Sequence, residues 1–122
     1  MSKIIKIAVD AMGGDNSPKK IIDGINHHYK SNTNTFYQIF GDKEKIQNYI
    51  NQLPTSSFEI IHTKDLVKGT DSPLEGAKRG KNTSMWLAIQ SVKEKKSDIV
   101  ISAGNTGALL VISKLNLKMI EN

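Results

Sequence analysis

With 122 residues, 38% of them apolar and 24% charged, the chain has the composition of one ordinary globular domain with a single core, which excludes a disordered segment. Lysine and arginine outnumber aspartate and glutamate by 17 to 12, giving a net charge of +5 that favours acidic partners; the basic residues are scattered and few aromatics accompany them, which argues against nucleic acid. The absence of cysteine removes disulfides, thiolate metal sites and a cysteine nucleophile together, and suits a reducing cytoplasm.

Ile4 to Val9 is a short, nearly continuous apolar run rich in β-branched residues, the pattern of a strand buried on both faces and ending at Asp10. Asp10 also interrupts the basic, apolar start well before a signal peptide's apolar region would be complete. After the loop Ala11 to Ser17, Pro18 suits a first helical position with Ser17 as its N-cap, and Ile21, Ile22, Ile25 and Tyr29 follow at helical spacing. His27 and His28 fall on this helix with no carboxylate or cysteine at ligand spacing and read as surface residues.

The polar tract Ser31 to Thr35 leads to a second strand, Phe36 to Phe40, which ends in Gly41-Asp42. Ile46, Tyr49, Ile50 and Leu53 predict an amphipathic helix stopped by Pro54, and Phe58 to His62 predicts a third strand. Lys64 to Asn82 shows little periodicity and reads as an irregular excursion with one short helix after Pro73. From Thr83, the residues Met85, Leu87, Ala88, Ile89 and Val92 mark a helix, with Met85 and Trp86 assigned to core or interface. The strand Ile99 to Ser102 follows, and a further helix starts near Thr106. The longest uninterrupted apolar run, Ala108 to Ile112, is far short of the ~20 residues that span a bilayer, so any membrane contact would be peripheral. The alternation predicts an α/β fold over residues 1–122: a three-layer α/β/α, Rossmann-like, mostly parallel sheet with helices on both faces.

Two strand-to-helix glycine loops stand out, Asp10 to Pro18 and Ser102 to Gly107. In an open α/β sheet such loops lie outside the carboxyl ends of the strands, where helix N-termini present unpaired N–H donors and partial positive charge to an oxyanion. In the first loop, Gly13 and Gly14 remove side chains that would block a ligand. Asp15 or Asn16 accept hydrogen bonds from loop amides, and Asp10 does so from the strand end. A tight turn leading into a capped helix would use the same residues. In the second loop, Gly104 and Gly107 flank Asn105 and Thr106, whose side chains would donate to phosphate oxygens beside the backbone amides, with Ser102 at the strand end. Neither loop is GxGxxG or GxxxxGK[ST], so a nucleotide is not the default ligand.

Ile7-Ala8-Val9-Asp10-Ala11-Met12-Gly13-Gly14-Asp15 with Pro18, and Ser102-Ala103-Gly104-Asn105-Thr106-Gly107-Ala108-Leu109, resemble the bacterial phosphate acyltransferases of phospholipid synthesis. The stretch from Asp71-Ser72-Pro73 through Lys78, Lys81 and Thr83-Ser84-Met85 is similar to the same family, as is Val92-Lys93-Glu94, so the resemblance covers essentially the whole chain. It implies transfer of a fatty acyl group from acyl carrier protein to inorganic phosphate, without a metal or organic cofactor. The acyl phosphate would feed a membrane glycerol-3-phosphate acyltransferase. Lys78, Arg79 and Lys81 are candidates for neutralising phosphate or docking the acidic carrier, and a solvated basic turn is the alternative. The family usually has Arg at Lys78 and Ala at Gly76, so a bidentate guanidinium grip is lost at position 78.

Family members are considerably longer. Their last strands, homodimer contacts, membrane-touching amphipathic helices and other active-site groups would lie beyond Asn122, and the homodimer is therefore not carried over to this chain. Leu109, Leu110, Val111, Ile112, Leu115, Leu117 and Ile120 make the terminal segment apolar almost all round, as in a helix buried within a larger protein. Two other readings stay open: a truncated, non-catalytic remnant that keeps phosphate binding, and a phosphotransacetylase-like enzyme acting on coenzyme A thioesters.

Overall fold

The computed structural model describes residues 3–68, 70–102, 104 and 106–117. Four strands, β1 (Ile5–Asp10), β2 (Thr35–Gly41), β3 (Phe58–His62) and β4 (Ile99–Ser102), form an all-parallel sheet in the order β3-β2-β1-β4. The connections carry α1 (Lys19–Ser31), α2 (Lys43–Gln47), α3 (Pro73–Lys78) and α4 (Ser84–Lys93), and α5 (Thr106–Leu117) follows β4.

Alternation along β1 divides the core between two faces. Ile7 and Val9 join Tyr37 and Ile39 of β2 beneath Ile22 and Ile25 of α1 and Ile46 of α2. On the other face Ala8 and Phe40 pack on Ala88 of α4. Val67, Met85, Ile89, Ala108 and Ile112 form a further cluster that joins α4 and α5. The result is the expected three-layer α/β/α arrangement with a Rossmann-like strand order. The α4 layer is also fastened by polar contacts: Gln38 Oε1 accepts from Ser91 Oγ at 2.5 Å and from Ser97 Oγ at 2.6 Å.

Three local expectations change. Burial of β1 begins only at Ile7, because β4 starts opposite Ile7, so Ile5 and Lys6 lack a strand neighbour on that side and are exposed. Ser17 does not cap α1. Its hydroxyl accepts from the Gly14 amide at 2.9 Å within the loop, and the helix begins at Lys19 with Pro18 at the boundary. The helix drawn through Leu53 is the five-residue α2: Asp42 caps it by accepting from Glu44 N, and it ends at Asn48. Tyr49 and Ile50 then reach the core from turns whose amides return to the Ile46 carbonyl.

The excursion after β3 does contain one short helix. In α3, Ser72 and Glu75 form a reciprocal capping box with Pro73 in the first turn. Gly76 sits where α3 crosses α5, and a Cβ there would stand 2.7 Å from Ala108 Cβ and 2.8 Å from Val67 Cγ1. Among the described residues no helix is long and apolar enough to cross a membrane.

Candidate functional site

The chain runs outward from β1 to β2 and β3, then returns to place β4 on the opposite side of β1. That reversal opens a crevice at the carboxyl ends of β1 and β4, the usual ligand position in an open parallel sheet. The two glycine loops leave from this point. Register fixes their origins side by side, Asp10 opposite Ser102.

Asp10 ties the junction together. Its carboxyl group is 1% exposed; Oδ1 accepts from Ser84 Oγ at 2.6 Å and from Met12 N at 3.2 Å, and Oδ2 accepts from Ser102 Oγ at 2.8 Å. Ser102 Oγ in turn accepts from Gly104 N at 3.0 Å. One buried carboxylate thus holds the first loop, the second loop and the start of α4, and its lone pairs are satisfied by donors from three segments, as burial of a charge requires.

The loops meet through their glycines. A Cβ on Gly13 would lie 3.0 Å from Gly104 Cα and 3.0 Å from Asp10 Oδ2; a Cβ on Gly104 would lie 2.9 Å from Gly13 Cα. Only hydrogen at both positions allows this approach. The Met12 and Gly14 amides are taken by Asp10 and Ser17 rather than by Asp15 or Asn16, which are exposed, with Asn16 in the left-handed region at φ 58°. The Gly104 amide is likewise used inside its loop. The first turn of α5, which begins at Thr106 and includes Gly107, comes next along the chain at this crevice. Asn105 and the Thr106 side chain lie outside the described residues.

Residues 5–122 match the family described as Fatty acid synthesis protein. The chain belongs to the fatty acid synthesis protein family. Among curated relatives, the phosphate acyltransferases of Streptococcus pyogenes serotype M5 (strain Manfredo), serotype M49 (strain NZ131) and serotype M1 are each 45% identical to it over 107 residues, covering 88% of this chain and 31% of the relative. The chain spans about a third of the length of those relatives.

The basic residues singled out in this family member do not act as one group. Arg79 lies at the end of α3 and grips Asp71 with two hydrogen bonds, Nε to Oδ2 at 2.9 Å and Nη2 to Oδ1 at 2.7 Å. That contact, with help from the Lys68 amide, holds the Asp71 carboxyl down at about 2, and Asp71 holds the guanidinium above its ordinary value. Lys81 Nζ stands 5.9 Å from the centre of the Trp86 ring, a cation–π placement. Lys78 is exposed in the last turn of α3.

Four residues make contacts that sequence reasoning did not assign. Ser84 reaches Asp10 across 74 positions of chain, a separation no local pattern signals. Lys64 and Lys68 join Arg79 and Thr83 around a cavity of about 410 Å³, although they belong to an aperiodic stretch. His28, read as a surface residue, is exposed but bonds through Nδ1 to the buried Tyr37 hydroxyl at 2.6 Å.

Proposed function

We propose that the chain serves transfer of a fatty acyl group from acyl carrier protein to inorganic phosphate, producing the acyl phosphate used in phospholipid synthesis. The observation that carries this reading is the Asp10 junction, which brings two glycine loops together at the switch point of the sheet. The names of the relatives, phosphate acyltransferases at 45% identity, supply the reaction class.

Phosphate bound at the first turn of α5 is held by N–H groups and the positive end of the helix. One of its oxygens attacks the thioester carbonyl carbon, and nearby N–H donors stabilise the tetrahedral oxyanion. Collapse of that intermediate breaks the C–S bond, releases the carrier thiolate, which takes up a proton, and leaves the acyl group on phosphate. Thiolate is a good leaving group, so no protein nucleophile is needed. Asp10 positions both loops and does not touch the reacting atoms.

The share of the relatives that the chain covers favours a second reading, in which this segment supplies the phosphate-binding part of a site completed by other residues. Acyl phosphate formation by the purified 122-residue chain, measured with phosphate and acyl carrier protein thioester, distinguishes the two. Turnover supports the acyltransferase; phosphate binding without turnover supports the partial site. Preference for a coenzyme A thioester over the carrier-protein thioester would instead identify a phosphotransacetylase-like enzyme.

A further inference from the structure

A cavity of about 410 Å³ lies between the chain segment after β3 and the start of α4, lined by Lys64, Asp65, Leu66, Lys68, Arg79 and Thr83. Lys64, Lys68 and Arg79 line it beside Asp65, and Arg79 is paired with Asp71, which leaves one positive charge in excess and favours an anion. The volume falls in the range of small-molecule sites and far exceeds the ~30 Å³ that a water occupies in the liquid, leaving room for a phosphate and the group that carries it.

The wall is held in place before any ligand arrives. Asp71, buried at 9% exposure, accepts from Lys68 N at 2.9 Å and from Arg79 through two bonds, which clamps the Lys68 turn to the end of α3. A guanidinium has five N–H donors, and two of Arg79's are directed at Asp71. Thr83 caps the ten-residue α4 at the cavity edge, so the positive end of that helix adds to the field.

This cavity adjoins the glycine-loop junction through a single residue. Ser84 N donates to the Asp65 carbonyl at 3.0 Å, and Ser84 Oγ donates to Asp10 at 2.6 Å. We propose that the cavity lined by Lys64, Lys68, Arg79 and Thr83 binds a phosphate group, as a site separate from the phosphate position at the glycine loops. Given the acyl-transfer reading above, on which this assignment of the ligand rests, the volume favours the phosphate on the pantetheine arm of the thioester donor over the free ion.

The test is amide chemical-shift titration of the full 122-residue chain with 4′-phosphopantetheine, pantetheine and inorganic phosphate, on the wild type and on a Lys64→Ser/Lys68→Ser double variant. The expected result is that 4′-phosphopantetheine shifts the amides of Asp65, Leu66 and Thr83 and binds about tenfold more tightly than pantetheine, a preference the double variant loses without change in Tm. Inorganic phosphate moving the same amides with equal affinity would make the free ion the source of the phosphate group. Equal binding of pantetheine and 4′-phosphopantetheine, shifts confined to the glycine loops, or indifference to the double substitution would overturn the proposal. Arg79→Gln, which keeps a hydrogen-bonding head, provides an independent variant, with weaker phosphopantetheine binding expected. Binding here without acyl phosphate formation would count against the proposed reaction and leave the site standing; turnover with a donor KM unmoved by the double substitution would do the reverse.

Discussion

Gly13 and Gly104 meet backbone to backbone, so closely that a Cβ on Gly104 would stand 2.9 Å from Gly13 Cα and 3.0 Å from its carbonyl carbon. Two loops separated by most of the chain thus share one surface, and the space between their strands is set by the lack of side chains. Gly104→Ala is expected to force the loops apart, because the obstructing atoms are backbone and cannot rotate away. The cost should be about 1–3 kcal/mol of stability, the range for overpacking. Urea denaturation measures it, and phosphate titration should show weaker binding in the same variant.

Asp10→Ala should be more damaging. It strands the Met12 amide and the Ser84 and Ser102 hydroxyls, all three of them donors to the buried Asp10 carboxylate. Loss of a buried acceptor serving several donors is expected to cost about 3 kcal/mol. Ser84→Ala removes one of those contacts and should cost about 1 kcal/mol. If the Asp10→Ala chain melted at the wild-type temperature, Asp10 would not organise the junction of the two loops.

The Asp71–Arg79 pair makes a prediction about acid. The folded-state value of Asp71 is lowered from 3.8 to about 2, chiefly by the Arg79 hydrogen bonds. Its ionised form is therefore favoured by folding. The stabilisation is fully present above pH ~4 and is lost as pH falls through the folded value near 2. Asp71→Asn should lower the urea midpoint at pH 7, and the gap between variant and wild type should narrow between pH 4 and 2. A gap that stayed constant over that window would contradict the pairing.

On the α1 side of β4, Ile99 and Ile101 are 48% and 37% exposed and border an apolar groove of about 380 Å³ with Ile7, Ile21 and Ile25. Apolar residues on an edge strand favour pairing with other chains. The double substitution Ile99→Thr/Ile101→Thr keeps β-branched side chains while reducing apolar surface, and should shift the concentration dependence of sedimentation toward the monomer. Unchanged association would mean that this strand edge is not the contact.

The sequence alone determined the order and kinds of elements, because periodicity is local. The stretch Phe58 to His62 matches β3, and Ile99 to Ser102 matches β4, both with the boundaries read from their apolar runs. Motif residues also marked the two glycine loops as the place to look. Where local signals compete, the sequence misled: Ser17 looked like a helix cap, but its hydroxyl is spent on Gly14, and the apolar spacing through Leu53 concealed two turns after α2. Only the tertiary structure decided what the loop residues do. Asp10 became a shared acceptor because β4 returns beside β1 and α4 brings Ser84 above both. Gly13 and Gly104 proved to be needed for each other as well as for a ligand. Arg79, Lys81 and Lys78 lie within four positions in the chain, yet they face a carboxylate, an indole ring and solvent, since the end of a short helix turns neighbours in sequence toward different surroundings.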